Sequence, residues 1–226
     1  ISTSIAAQLI GHVGKYVPGK AMVVVLRTGA LSRDGVKLVA STISVFMETF
    51  LMMAVGGAVA GVVVLWLPVP TWMTVTALAV AVAAVLPTLP PVLSAAAKRF
   101  VKSDQALPRD AARRLFVAGW LYSLTSWLLI GASFTAVIYA IPSASPAPTL
   151  PFAYAVATAA ISLGMVVGFA SLLPGGAGVR ELVLTTVLGV SLGPAHGLLA
   201  AIAVRLVFIV VEAAMGLGAW IWLRRR

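Results

Sequence analysis

The sequence predicts an all-α, polytopic helical membrane protein with about five full spans plus two re-entrant helical hairpins in an inverted repeat. Three observations predict it. First, 61% of the 226 residues are hydrophobic and only 10% are charged, with a mean hydropathy of +1.08. A soluble domain carries about 25% charged residues, so this composition lies far outside that class. Second, the apolar residues are gathered into runs long enough to cross a bilayer. Third, two shorter apolar stretches are each broken by a Pro-Gly step. The same composition excludes a disordered chain, a disulfide scaffold and a soluble nucleic-acid binder.

The formal net charge is +10, from 16 basic and 6 acidic residues. Many of the basic residues lie in short polar stretches beside apolar runs, as the positive-inside rule requires of cytoplasmic loops. That placement accounts for the charge without nucleic acid. The chain has no Cys, which removes thiolate nucleophiles and Cys-ligated zinc or Fe–S clusters. His12 and His196 are isolated from carboxylates in the sequence and read as ordinary membrane-boundary residues. No metal or other cofactor is expected. The chain starts at Ile1 rather than Met, which reads as a fragment.

Taken in order, the apolar runs are Ile5–Val13, Val39–Leu67, Met73–Ala97, Leu115–Ile141, Phe152–Leu173, Leu182–Ala195 and Gly197–Leu223. A spanning helix needs about 20 residues, so the first and the sixth are too short to cross. Pro87, Pro90 and Pro91 should kink or end the third. Aromatic residues near the ends of runs, among them Trp66, Trp72, Trp120, Tyr139, Trp220 and Trp222, fit an interfacial belt. Glycines within spans (Gly56, Gly57, Gly61, Gly216, Gly218) read as helix-packing contacts.

Orientation follows from Lys and Arg. Residues 27–37, with Arg27, Arg33 and Lys37, the stretch Lys98–Arg114, and the tail Arg224–Arg226 are expected in the cytoplasm. The uncharged linkers Pro68–Trp72 and Pro142–Pro151 are expected outside. Phe152 then enters from outside, and Gly197–Leu223 must also start outside to reach the arginine tail. The chain between them must return to the side it came from. A re-entrant hairpin turning at Pro174–Gly178 does this. Non-helical backbone at that depth needs protein or a water-filled cavity around it.

A similar pattern precedes the first long run. Ile5–Val13 leads into Lys15-Tyr16-Val17-Pro18-Gly19-Lys20 and then apolar Ala21–Leu26. Each broken segment is followed by one full span, and the two spans run in opposite directions. The single domain, residues 1–226, thus divides into a first half (1–67), a central helix pair (73–141) and a second half (152–223). Broken segments at corresponding positions of two halves point to a transporter's binding site.

The segment Leu173-Pro174-Gly175-Gly176-Ala177-Gly178-Val179-Arg180-Glu181 carries the most chemistry. Gly175, Gly176 and Gly178 are expected to present backbone N–H groups, beside a helix start, to an anion such as phosphate. Arg180 adds a guanidinium able to hold two oxygens. Glu181 is expected to orient an arginine or cap the helix. Ionisable residues inside spans are costly and mark function or a structural ion pair. Glu48 lies well inside its span. Arg205 and Glu212 share a face but are too far apart to pair directly, roughly 10 Å along the axis. Arg205 is expected to meet Glu48 or Glu181 from another helix. Lys15 and Lys20 bracket the first Pro-Gly turn, where an anionic head group would enter. Lys15, Lys20, Gly175, Gly176, Gly178, Arg180 and Arg205 form the expected head-group set. Glu48, Glu181 and Glu212 are expected to balance charge or sense protons.

The stretch PGGAGVRE, Pro174 to Glu181, resembles the PGGxGxRE motif of the lysylphosphatidylglycerol synthase transmembrane region, also described as the flippase-like domain. Gly14–Lys20 looks like that family's early GKYxPGK element. Ser44–Glu48 is similar to its next element, a membrane glutamate, and Arg205 falls where the family has an arginine. Thr49 departs from the basic residue often found after the glutamate. The chain is also shorter than the usual domain, so an N-terminal span is expected to be missing. The resemblance implies a multi-pass protein of the cell inner (plasma) membrane that moves a lipid or lipid-linked group between leaflets. It does not imply lysyl transfer, which in the synthases belongs to a separate soluble domain.

Two functions follow as expectations. The first is a lipid flippase acting on an anionic phospholipid or lipid-linked phosphate. The chain contains no Walker A motif to supply ATP chemistry. The alternative is a membrane-embedded transferase, or an accessory subunit of a lipid- or glycan-modifying enzyme. No catalytic cluster of the DxD or HxxxD kind stands behind it, so an enzyme is not expected. The expected partners are the membrane, the lipid, and either a second copy of the chain or a partner synthase or glycosyltransferase.

Overall fold

The computed structural model describes residues 2–16, 21–32, 34–89, 109–142 and 147–225. Among these residues every regular element is helical. The helices are α1 (Thr3–Gly14), α2 (Ala21–Ser32), α3 (Leu38–Val64), α4 (Thr71–Val85), α5 (Arg109–Ala140), α6 (Leu150–Ala170), α7 (Val179–Leu192) and α8 (Pro194–Arg224). Six helical segments among the described residues are long and apolar enough to cross a membrane. The chain is a polytopic helical membrane protein.

Local chemistry sets the helix ends. Ser2 opens α1 by accepting from the Ile5 N–H. Pro151 and Pro194 occupy first-turn positions, where a missing N–H costs nothing. After Val85 the chain tightens into a short 3₁₀ turn, Leu86–Thr88, around Pro87. Buried hydroxyls inside helices donate back to the carbonyl four residues earlier, as Thr158 does to Tyr154 and Ser162 to Thr158. These two hydroxyls are thereby satisfied within their own helix.

The innermost helix is α6, whose small residues Ala157, Ala160 and Gly164 let neighbours approach closely. It joins Phe134 and Ile138 of α5, Leu184 and Leu188 of α7, and Ala200, Ala201 and Val204 of α8 in the main packed cluster. A second cluster unites Ala6, Ala7 and Ile10 of α1 with Ala30 of α2 and Ala219 and Leu223 of α8. In a third, Trp127 of α5 packs on Val55 and Val59 of α3.

The packing has an exchange relation. Helix α1 lies along α8 of the second half, and its counterpart α6 lies along α3 of the first. Helix α2 packs on α3 as α7 packs on α8. The register matches too. From Gly14 to Ala170 (the ends of α1 and α6) is the same number of residues as from Leu38 to Pro194 (the starts of α3 and α8). The same offset separates Pro18 from Pro174 in the sequence.

Several expectations need correction. Helix α2 does not stop at Leu26 but runs to Ser32, so Arg27 is a helical residue and not part of a polar loop. Helix α5 begins at Arg109, so Arg113 and Arg114 belong to its early turns. The break before the last helix falls at Gly193, with φ +92°, and not at Ala195–Gly197. Only glycine adopts that backbone readily, and it sets where α7 ends. Of the expected packing glycines, Gly56 meets Trp127, Gly57 and Gly61 meet α4, and Gly216 meets Val13. Gly218 faces open space. Lys20, Pro18, Gly19, Arg33, Pro90, Pro91, Lys98, Arg99, Lys102 and Arg226 lie outside the described residues.

Candidate functional site

The second bend is built from glycine geometry. Gly175, Gly176 and Gly178 have φ values of +58°, +68° and +82°, a region that L side chains avoid. Gly176 lies against the backbone of Gly168 on α6, where a Cβ would come within 3.0 Å. Gly178 opens α7, and its N–H donates to Glu181 Oε2 at 2.7 Å. Glu181 therefore satisfies an orphan donor and places negative charge at the helix start.

This bend meets the end of α1. The Gly175 N–H donates to the Lys15 carbonyl at 2.9 Å. The ring of Tyr16 and the guanidinium of Arg205 both lie close to Gly175. Lys15 Nζ pairs with Glu212 on α8, and the Tyr16 hydroxyl donates to the other oxygen of that carboxylate at 2.7 Å. Arg205 pairs with Glu181, one of its two expected partners. Lys15, Arg180 and Arg205 act on one another electrostatically across this seam.

Arg180 stands apart from the other cations. It is 6% exposed, and its Nε and Nη2 have no hydrogen-bond partner among the described residues. Its stem runs past Gly164 and Gly168 of α6, where the missing side chains leave room for it. Its Cζ lies 5.3 Å from the centroid of the Phe208 ring, an aromatic face that holds the guanidinium.

A second ionic cluster ties the first hairpin to α3. Gln8 Nε2 donates to Glu48 Oε1, and Arg27 Nη2 to Glu48 Oε2, both at 2.6 Å. The stem of Arg27 fills the space above Gly11. Gln8, His12 and Lys15 recur at spacings of four and three, so they share one face of α1. His12 Nδ1 lies 3.9 Å from Glu212 Oε1. It is not the isolated residue the sequence suggested, because its carboxylate arrives from the far end of the chain.

The structure thus brings Lys15, Arg180, Arg205, Glu181, Glu212 and the bend glycines together, and sets Glu48 in the neighbouring cluster. Lys20 lies outside the described residues. Gly175, Gly176 and Gly178 do not present an open N–H cradle as expected. Their N–H groups go to Lys15, Leu173 and Glu181, and that of Ala177 goes to Pro174. An anion here would be held by side chains. Sequence reading missed Arg27, Gln8, His12 and Tyr16 as members of these clusters. The spacing of Gln8, His12 and Lys15 was the one available signal. Among the described residues no group of three or more His, Cys, Asp or Glu gathers as a metal site.

A helical hairpin whose bend meets the end of α1, with half-buried ion pairs at the seam, is the most polar feature of this integral membrane protein. No curated protein and no solved structure matches the chain. The family model described as the lysylphosphatidylglycerol synthase TM region matches residues 1–216. The chain belongs to that family.

Proposed function

We propose that the protein is a lipid flippase that moves an anionic phospholipid or lipid-linked phosphate between the leaflets of the cell's inner (plasma) membrane. The observation that carries this reading is the meeting of the second bend with the end of α1 beside Lys15, Arg180 and Arg205. Cations inside a bilayer are expensive, and three near one seam suit a ligand that brings negative charge. The acyl chains would stay in the lipid while the head group passes along the seam. Glu212 and Glu181 hold Lys15 and Arg205. An arriving phosphate exchanges with those carboxylates for the same donors. Rocking of the two halves about the bends then exposes the seam to the other leaflet.

The test is reconstitution in vesicles with a labelled anionic phospholipid and measurement of leaflet exchange. The wild-type chain is expected to exchange the lipid, and Arg180→Ala and Arg205→Ala each to lower the rate about tenfold or more. No exchange by the wild type, or unaltered exchange in both variants, overturns the reading. New lipid product in the vesicles would support the transferase instead.

A further inference from the structure

We infer that the seam takes up a proton together with the anionic head group, and that His12 on α1 is the group that receives it. The inference rests on the flippase reading above and deepens it by adding a second, co-bound species.

The first observation is a shared oxygen. His12 Nδ1 lies 3.9 Å from Glu212 Oε1, the same oxygen that Lys15 Nζ holds. The other oxygen of Glu212 accepts from the Tyr16 hydroxyl at 2.7 Å. Glu212 also acts on Arg180. One carboxylate therefore restrains two cations of the seam, and an imidazole stands beside it. While neutral, the ring leaves the charge of Glu212 to those cations. Once protonated, it is a further cation at the same anion, and the hold of Glu212 on Lys15 weakens. Lys15 is then available to an arriving oxyanion.

The second observation is where His12 sits. Among the described residues, the charged groups that act on it are Lys15 of α1, Arg27 of α2, Glu48 of α3 and Glu212 of α8. From the second bend and α8, Arg180 and Arg205 act on Lys15, and Glu181 pairs with Arg205. Gln8, which donates to Glu48, lies one turn before His12, and Lys15 lies about one turn after it. His12 thus joins the two ionic clusters. Its side chain is 45% exposed, so a proton reaches it without unfolding. Histidine is the side chain whose ordinary titration falls between about pH 5 and 8.

Both consequences of protonation have the same sign. A proton on His12 adds positive charge beside the seam, and it loosens the Lys15–Glu212 pair. Each favours an anion. By linkage, a bound anion favours the proton on His12 to the same extent. The two enter as a pair without net charge, which lowers the cost of holding the head group inside the bilayer.

The experiment uses the full chain and short-chain phosphatidylglycerol, whose charge is constant between about pH 5.5 and about pH 8. Affinity is read in detergent by titration calorimetry across that range. Proton uptake is read from the dependence of the binding heat on the buffer's ionisation enthalpy. The wild type is expected to bind about tenfold more tightly at the acid end. A linkage of that size takes up about half a proton per lipid at the middle of the range. His12→Gln and His12→Asn are each expected to abolish the pH dependence and the uptake, and His196→Gln to keep both. Two variants at His12 are used so that misfolding of one leaves the other to decide. Short-chain phosphatidylcholine is the control for general effects of pH on the chain, and its affinity is expected to change less than twofold. Wild-type affinity for phosphatidylglycerol that is independent of pH, with no proton uptake, overturns the inference. So does a pH dependence that survives in a folded His12 variant, or one that phosphatidylcholine shares in full. Leaflet exchange of labelled phosphatidylglycerol in vesicles separates the two readings. Proton-linked binding without exchange would keep the role of His12 and sink the flippase. Exchange with binding indifferent to pH would do the reverse, and no binding at any pH would sink both.

Discussion

Arg27 Nη2 donates to Glu48 Oε2 at 2.6 Å and so ties α2 to α3. The counterpart contact in the second half runs with its charges reversed. There the hairpin helix α7 supplies the anion, Glu181, and the long helix α8 supplies the cation, Arg205. Each hairpin is thus latched to the span that follows it in its own half.

The two sides of the first latch are expected to be coupled, so that removing it whole costs less than the sum of breaking each side alone. Arg27→Met leaves Glu48 with Gln8 alone, and Glu48→Gln leaves Arg27 without an anion. Each single change should lower stability by about 1–3 kcal/mol, with the double change Arg27→Met/Glu48→Leu milder than the sum. Thermal unfolding in detergent checks this, and strict additivity would show that the pair is not coupled.

Glycine replacements should separate by position. Gly176→Ala puts a Cβ within 3.0 Å of the Gly168 backbone at a residue with φ +68°. The strained backbone costs about 1–2 kcal/mol, and crowding adds to it. Gly218→Ala meets nothing within 4 Å and lies in mid-helix, so it should stabilise by up to about 1 kcal/mol. Melting curves of the two variants are expected to move in opposite directions.

Trp127 is fully buried, and its indole donates to the Met52 carbonyl at 2.9 Å while the ring lies on Gly56. Trp127→Phe removes the donor and should cost about 1 kcal/mol, and Trp127→Ala also opens a cavity and should cost about 3–5 kcal/mol. Gly56→Leu drives a side chain into the same space and should be at least as damaging. Near-equal stability of the Phe and Ala variants would refute this role for the ring.

Membrane orientation can be read with single thiols, because the chain has no Cys of its own. Val36 and Pro68 are exposed residues that lie beyond opposite ends of α3, and Arg225 follows α8. A membrane-impermeant maleimide is expected to reach Val36→Cys and Arg225→Cys from one face of the membrane and Pro68→Cys from the other. Labelling of all three from one face would overturn the assigned topology.

The long spans were legible because apolar run length reports bilayer crossing directly. Phe152–Leu173 and Val39–Leu67 correspond to α6 and α3 within a few residues. The second bend was legible because Pro174 and three glycines break an apolar run in only one way. Arg27 was misplaced because an isolated charge after an apolar stretch looks the same in a loop and in a helix that continues. Its carboxylate partner decides between them, and Glu48 stands 21 residues on. The companions of Glu212 were harder still, since Lys15 is 197 residues away. The bend glycines were expected to bind through N–H groups that the fold spends on itself. Local spacing shows that a donor exists, but only the assembled chain shows what it is already bonded to.

The hydrogen bond that joins the second bend to the end of α1, from Gly175 N–H to the Lys15 carbonyl, is made by peptide atoms. Replacing the lysine side chain removes its ammonium but leaves the joint intact. On the flippase reading proposed above, the pivot and the recognition chemistry would therefore be separable. On that reading, side chains around this axle could be exchanged to admit a different cargo while the backbone frame is kept.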